Sequence, residues 1–230
     1  MRTQQSGFTL VEIAIVLVII GLLLGGVLKG QELINSAKAK AVISDFRNTA
    51  TMMAAYQDRF RALPGDDAAV ATHLTNGQPA TTFTACGAGG AAPGISNGLI
   101  DGCWNSITPT DESVVMWQHL RLANLASGDT TAPTAALITA GWLPLNAEGG
   151  PIGVQSTPPF TGMTGRMFVC QGNISGRIAQ QVDSTMDDGR PDQGSVRFGV
   201  LAAPPMTAAT VGGATPTFSE NSLYVICASF

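Results

Sequence analysis

The sequence is poor in charge, and in lysine above all. Charged residues make up 12% of the chain, about half the usual share of roughly 25%, and the net charge is −4. The only lysines are Lys29, Lys38 and Lys40, so the long remainder of the chain has none. A nucleic-acid partner is not expected, because such surfaces need clustered Lys and Arg. The 45% hydrophobic content also argues against a charged, disordered chain.

Residue types that serve metal binding and catalysis are scarce as well. Only two histidines occur, His73 and His119, and no Cys-x-x-Cys pair is present, so a zinc site is not expected. Gly94-Ile-Ser96-Asn-Gly98 matches the Gly-x-Ser-x-Gly turn of hydrolases. That turn needs a strand before it and a helix after it, whereas a Gly/Pro-rich loop sequence surrounds this one. We therefore expect a protein that is not an enzyme and has no cofactor.

A long apolar run near the N-terminus is the strongest feature that is present. Residues 8–28 read FTLVEIAIVLVIIGLLLGGVL, in which Glu12 is the only charged residue. As a helix this run reaches about 31 Å, enough to cross a hydrocarbon core of about 30 Å. The run predicts a membrane helix. By itself it is compatible with a plain membrane anchor or a secretory signal as well.

The residues around the start of this run narrow the choice. A short polar leader, MRTQQSG, ends at Gly7 and is followed by Phe8 and Thr-Leu-Val-Glu. This combination resembles the N-terminal signal of type IV pilins and type II secretion pseudopilins. The resemblance implies that a prepilin peptidase cuts between Gly7 and Phe8 on the cytoplasmic side and N-methylates Phe8. The apolar helix then stays on the mature chain.

Glu12 needs an explanation, because a carboxylate in a membrane helix costs roughly 2.5–3.5 kcal/mol at mid-bilayer. Cleavage would supply a partner, the new amino group of Phe8. Glu12 lies four residues further on, so the two groups could pair within one chain. The resemblance implies instead a pair between neighbouring subunits, which sets the axial step of a filament. A carboxylate that simply reaches the cytoplasmic headgroups is the alternative.

The resemblance also implies a location and partners. The chain would cross the inner membrane once, with its N-terminus cytoplasmic and its head periplasmic. It would then join other pilin or pseudopilin subunits in a helical filament, by means of an assembly platform and an ATPase. An adhesive minor pilin and an uncut, membrane-anchored periplasmic binding protein or enzyme are the alternatives. Lys29 stands where many major pilins have proline, so a major or minor role remains open.

Beyond the apolar run, a single apolar stripe continues to the first helix-breaking pair, Pro64-Gly65. The stripe predicts that one helix runs from about Phe8 to Ala62, with its second half packed on a globular head. The predicted organisation is a leader (1–7), a membrane or filament-core helix (8–28), an amphipathic continuation (29–63) and a head (64–230).

The head is predicted to be α+β, with a small antiparallel sheet and long loops. Asp66 and Asp111 are expected to cap its first two helices, since aspartate favours that position. The predicted helices cover residues 67–74, 112–126 and 175–189. The predicted strands are Arg166–Gln171, Val196–Leu201 and Ser222–Ala228.

Four cysteines allow three pairings. We prefer Cys86–Cys103, which would close a Gly-rich loop, together with Cys170–Cys227, which would join the last strand to an inner one. The second pair also resembles the C-terminal disulfide loop of pilins. A periplasmic head would keep such bonds oxidised.

An aspartate group near the C-terminus is a candidate calcium site. It consists of Asp183, Asp187, Asp188 and Asp192 in the segment DSTMDDGRPDQG. Carboxylate oxygens are preferred calcium ligands, but the spacing fits no EF-hand loop. The simpler alternative, which we expect, is that Asp187 and Asp188 precede the helix-ending Gly189 in a solvated turn.

Overall fold

The structure is a computed structural model that describes residues 9–82, 86, 94–201 and 218–230. The chain divides into two units, Met1–Ala37 and Lys38–Phe230. The described elements are helices α1 (Leu10–Phe60), α2 (Val70–His73), α3 (Glu112–Leu122), α4 (Ala135–Thr139) and α5 (Gly176–Met186), and strands β1 (Ile152–Gln155), β2 (Phe168–Ser175), β3 (Val196–Gly199) and β4 (Leu223–Ser229).

Helix α1 contains 51 residues and runs without interruption through Lys29. It ends at Phe60 because Arg61 has a positive φ of 56° and Pro64 follows. Its second part buries one stripe of residues: Ala39, Val42, Ile43, Phe46, Thr49, Met53 and Tyr56. Apart from the adjacent Val42 and Ile43, steps of three and four residues separate them, as expected for one face of a helix packed on a core.

The four strands form one antiparallel sheet in the order β1-β2-β4-β3. Side chains of β2 and β4 alternate between its two faces. One face joins the main core, to which the buried stripe of α1 belongs. On this face the Gln171 side chain donates a hydrogen bond of 2.9 Å to the Val42 carbonyl, so β2 is tied directly to α1. The other face carries a smaller core of Trp104, Phe160, Met163, Phe168, Cys170, Val225 and Cys227.

The predicted α+β, pilin-like architecture of a long helix on a small antiparallel sheet is confirmed. The three predicted strands all exist, with ends shifted by a few residues, as do the three predicted head helices. Strand β1 and helix α4 were not predicted, since they lie in residues 129–165, which read as a loop. Strand β1 is buried on both faces, so its sequence lacks the alternation that identifies a strand.

The capping role predicted for Asp66 is wrong. Helix α2 begins later, with Ala69 in the capping position. The Asp66 carboxylate instead accepts hydrogen bonds from the backbone amides of Asn97 and Gly98, at 3.1 and 2.7 Å. These two donors are about thirty residues away in sequence, so no local pattern could have revealed them. Helix α3 begins directly after Asp111, which occupies the predicted N-cap position but makes no capping hydrogen bond with its side chain.

Candidate functional site

The start of α1 is organised by Thr9 and Glu12. The Thr9 backbone amide and its hydroxyl both donate to Glu12 Oε2, at 2.9 and 2.8 Å, and the Glu12 amide donates to Thr9 Oγ1 at 3.2 Å. This reciprocal arrangement is a capping box, which satisfies amides that a helix start leaves unpaired. Gly7 and Phe8, the predicted processing residues, lie outside the described part of the chain.

No described residue buries the apolar part of α1. All residues from Leu10 to Leu28 are exposed, including every Ile, Val and Leu among them. This is the one helix of the described residues that is long and apolar enough to cross a membrane. A helix that is apolar all round belongs in a membrane or in a protein core. The segment therefore fits a membrane anchor.

Four glycines lie on this exposed part of the helix, or directly after it. Gly21 and Gly25 are four residues apart, and so are Gly26 and Gly30. A Cβ atom added to any of them would have no neighbour within 4 Å. The packing of the described residues thus gives no reason for glycine at these positions. In membrane helices, small residues at this spacing allow a second helix to approach closely.

The head contains a compact carboxylate cluster at the end of α5. One oxygen from each of Asp183, Asp187 and Asp188 lies within 4.8 Å of the others. Asp183 is fully buried, and neither of its carboxylate oxygens has a hydrogen-bond partner among the described residues. Asp192, the fourth residue of the predicted group, is outside this cluster and contacts Arg190 at 3.9 Å.

The electrostatics of the cluster follow from this burial. Burial raises the pKa of Asp183 to about 7, and the charges of Asp188, Asp187 and Asp192 add to the increase. An isolated carboxylate in such a place is costly unless a proton or a metal cation compensates it. Asp188 is exposed, as expected for a residue in a solvated turn, whereas Asp183 is buried.

Asp187 fixes the geometry of the same segment. Its Oδ2 accepts hydrogen bonds from the backbone amides of Ser195 and Val196, the second at 2.9 Å, and so links the end of α5 to the start of β3. Gly194 lies directly against it, with a φ of +73°, and an added Cβ would stand 1.8 Å from Oδ2. Only glycine fits there, both for the backbone conformation and for the space.

Both preferred disulfides are present. Cys86 is bonded to Cys103, and Cys170 is bonded to Cys227. Cys170 and Cys227 stand directly opposite each other in the β2–β4 register, with their Cα atoms 4.1 Å apart. This bond links the C-terminal strand β4 to β2 on the sheet face that carries the smaller core.

The Gly-x-Ser-x-Gly segment does not form a nucleophile turn. Residues 94–99 are turns and bends, with no strand before them and no helix after them among the described residues. The Ser96 hydroxyl donates to the Asp66 carbonyl at 3.3 Å. No histidine contacts it in the described structure, so nothing there would activate it as a nucleophile.

Comparison with known proteins gives one result, which concerns the N-terminus. Residues 2–28 match the family described as the prokaryotic N-terminal methylation motif, the signal of type IV pilins and pseudopilins. No curated protein and no solved structure matches the chain. The match contains Gly7, Phe8 and Glu12 and ends at Leu28, where the exposed apolar run ends. The head has no relative among these comparisons.

Sequence reasoning missed the capping role of Thr9 and the burial of Asp183. Thr9 was treated as part of the motif, although Thr-x-x-Glu before an apolar run is itself the signature of a capping box. No sequence pattern indicates that the Asp183 carboxylate is buried without a hydrogen-bond partner. Its burial results from the packing of α5 against β2, β3 and β4.

Proposed function

We propose that this chain is a structural subunit of a type IV pilus or of a type II secretion pseudopilus, with no catalysis of its own. The match of residues 2–28 to the methylation motif is the observation that carries the proposal. Prepilin peptidase cuts between Gly7 and Phe8 and N-methylates Phe8, and the apolar helix remains on the mature chain in the inner membrane. The head lies on the periplasmic side until the subunit enters a filament.

The capping box supports a specific role for Glu12 in assembly. Both hydrogen bonds from Thr9 reach Oε2, so Oε1 has no partner among the described residues and is available to a second one. Cleavage creates a positive amino group at the start of a helix, where the helix dipole disfavours it. A carboxylate from a neighbouring subunit relieves this, and the pair fixes the register between two subunits. Thr9 keeps the Glu12 side chain in one orientation for that contact.

The exposed apolar part of α1 supplies the packing surface of the filament. Moving it from lipid to a bundle of like helices exchanges one apolar environment for another, so hydrophobicity alone drives little of the transfer. The glycine pairs Gly21/Gly25 and Gly26/Gly30 permit close helix contacts. The energy for this transfer must come from other proteins, an assembly platform and an ATPase, since the sequence contains no nucleotide-binding loop of its own.

The test is mass spectrometry of the N-terminal peptide from sheared surface filaments and, in parallel, from the membrane fraction. N-methylated Phe8 that is abundant in sheared material identifies a pilus subunit, and processed peptide that stays in the envelope identifies a pseudopilin. Processed peptide at trace level in filaments identifies a minor pilin, including an adhesive one. An intact Met1 or Arg2 terminus in cells with active prepilin peptidase would overturn the proposal in favour of an uncut, anchored protein.

We also propose that the Asp183, Asp187 and Asp188 cluster binds calcium. The buried, unpartnered carboxylate of Asp183 favours a bound cation over a solvated turn. Oxygen ligands of this kind suit calcium, which also accepts backbone carbonyls and water. Calcium would compensate the charges at the end of α5 and strengthen the link from Asp187 to β3.

A calcium titration followed by the melting of the full chain in detergent tests this site. We expect the Tm to rise with calcium in the unmodified chain and to stay constant in Asp183→Asn. The control is Asp58→Asn, which removes a largely exposed aspartate on α1 and should retain the calcium response. No shift at millimolar calcium would remove the site from consideration and leave a protonated Asp183.

A further inference from the structure

Two carboxyl groups meet inside the head, where the chain leaves α1 and where α3 begins. Asp66 and Glu112 are both buried, with 4% and 0% of their surface exposed. Each carboxyl group lies close enough to the other to affect its pKa. Two carboxylates that share a buried place repel each other, so one of the pair keeps its proton.

The backbone forces the two residues together. Gly65, directly before Asp66, has a φ of +93°, and an added Cβ would lie 2.6 Å from the Glu112 carbonyl oxygen. Only glycine permits this approach of the two chain segments. The close approach of these two backbone segments is thus fixed by the fold.

The same pair holds the loop of residues 94–101 from two sides. Asp66 accepts the amides of Asn97 and Gly98, as described above, and Glu112 Oε2 accepts the amide of Asp101 at 2.7 Å. The Asp101 carbonyl in turn accepts the Ser113 amide at 3.1 Å. These two carboxyl groups therefore supply three of the loop's hydrogen bonds. Ile100 adds two more, from its amide to Ser156 Oγ and to its carbonyl from the Ser156 amide.

The surrounding groups decide which carboxyl holds the proton. Burial raises the pKa of Glu112 to about 8, and the charges of Asp66 and Asp101 add to the increase. Burial also raises the pKa of Asp66, but the Gly98, Asn97 and Ser96 hydrogen bonds oppose this. The proton thus resides on Glu112 and the charge on Asp66. Oε1 of Glu112 is buried and has no hydrogen-bond partner in the described chain, which makes a charge on this carboxyl group costly.

The loop forms part of the wall of a cavity of about 550 Å³ beside α1. Asp66, Ser96, Gly98 and Ile100 line one side, and Met53, Ala54 and Gln57 of α1 line the other. Two arginines, Arg61 and Arg166, also line it, but both are exposed. The position of the loop therefore decides whether this cavity is closed on that side.

We propose that Asp66 and Glu112 form a proton-operated latch that holds the 94–101 loop against the cavity. While one proton is shared, the two carboxyl groups bind each other and the loop amides. When the proton leaves at alkaline pH, two negative charges stand together in a buried place, the contact breaks and the loop is released. The latch belongs to the head and is independent of filament assembly.

Amide hydrogen exchange of the full chain, compared between pH 6 and pH 9, tests the latch. Protection factors, corrected for the intrinsic pH dependence of exchange, are followed for the amides of Asn97, Gly98 and Asp101. We expect them to fall at least tenfold, with a midpoint near pH 8. In Glu112→Gln the neutral amide replaces the shared proton, so protection should change less than twofold. The control Glu148→Gln removes a carboxylate elsewhere in the head and should retain the original profile.

Two results would overturn the proposal. One is constant protection of the loop amides across this pH range in the unmodified chain. The other is an equal fall in the unmodified chain and in Glu112→Gln. The amides of Val169 and Cys170 in β2 must keep their protection, since their loss would indicate global unfolding instead. If Glu112→Gln does not fold, Asp66→Asn removes the second charge and should also abolish the pH dependence.

Discussion

The two parts of α1 belong to one helix, but their side chains have different surroundings. From Leu10 to Leu28 all side chains are exposed and nearly all are apolar. From Ala39 to Tyr56 one stripe is buried, while the charged residues Lys40 and Arg47 remain in solvent. The second part therefore finds its partner within the chain, through the core it shares with the sheet. The first part requires an apolar partner that the described residues do not provide.

This difference shows that the apolar content of a helix does not tell where it packs, whereas the distribution of apolar residues does. A stripe indicates a single partner surface, and a helix that is apolar all round indicates lipid or a bundle of helices. Each of the following changes tests this contrast between the uncovered part of α1 and the part that is built into the head.

The largest effect is expected from a core truncation in the buried part. Phe46 is fully buried, so Phe46→Ala should cost about 3–5 kcal/mol of the free energy of unfolding of the head. Leu17 is 64% exposed, and Leu17→Ala should leave that free energy unchanged. Denaturant unfolding of the full chain in detergent, followed by Trp fluorescence, measures both. Equal losses in the two variants would contradict the division of α1.

The second prediction concerns pH and belongs to the head alone. The folded-state pKa values of Glu112 and Asp183 are raised to about 8 and about 7, so the folded head binds protons that the unfolded chain has already released. Their stabilisation is full below about pH 4 and is lost as the pH rises through 7 and 8. We expect the Tm, measured with a chelator present, to fall progressively between pH 5 and pH 8.

A combined Glu112→Gln and Asp183→Asn variant should flatten this slope, and Leu17→Ala should leave it unaltered. An unchanged slope in the combined variant would mean that other groups of the head control the pH dependence.

The third prediction distinguishes the role of the Thr9–Glu12 capping box from the role of the Glu12 charge. Glutamine also serves in a capping box, so Glu12→Gln keeps the helix start but removes the charge. Thr9→Ala does the opposite and should destabilise the helix start by about 1 kcal/mol. Neither should alter the Tm of the head. In a filament incorporation assay, we expect Glu12→Gln to abolish incorporation and Thr9→Ala to reduce it only slightly. Equal incorporation defects in the two variants would show that the capping box, and not the Glu12 charge, is needed for assembly.

The smallest effects are expected from two lysine ion pairs, one in each unit. Lys29 and Glu32 are 2.6 Å apart and largely exposed, so Lys29→Ala should cost no more than about 0.5 kcal/mol. Lys38 and Glu148 are also 2.6 Å apart, but the Glu148 side chain is only 12% exposed. Lys38→Ala should therefore cost about 1–2 kcal/mol, because it leaves a mostly buried charge without its partner. Chemical denaturation distinguishes the two, and equal values would show that Glu148 is hydrated.

The sequence allowed α1 to be predicted to within two residues at each end, because an apolar run begins it and the helix-breaking pair Pro64-Gly65 follows it. Strands β2 and β4 were also predictable, since aromatic and β-branched residues surround Cys170 and Cys227. These signals are local, and local patterns survive in a single sequence.

What could not be predicted depends on distant contacts. Strand β1 contains Gly153, where an added Cβ would lie 1.8 Å from the Trp104 carbonyl oxygen, a constraint that no sequence window reveals. From the sequence, Asp66 was predicted as a helix cap, Glu112 as the first residue of a helix and Asp183 as one of four candidate calcium ligands. Their burial results from tertiary packing, and so do their perturbed pKa values.

The confinement of all lysines to α1 has a practical consequence for labelling. An amine-reactive dye finds no primary side-chain amine anywhere after Lys40, so it marks the helix and leaves the rest of the chain unmodified. Differences in labelling between free and assembled chains would report on the surroundings of Lys29 and Lys40, the two lysines that make no ion pair with the head. The natural sequence thus provides a selective probe of the helix without any engineered residue.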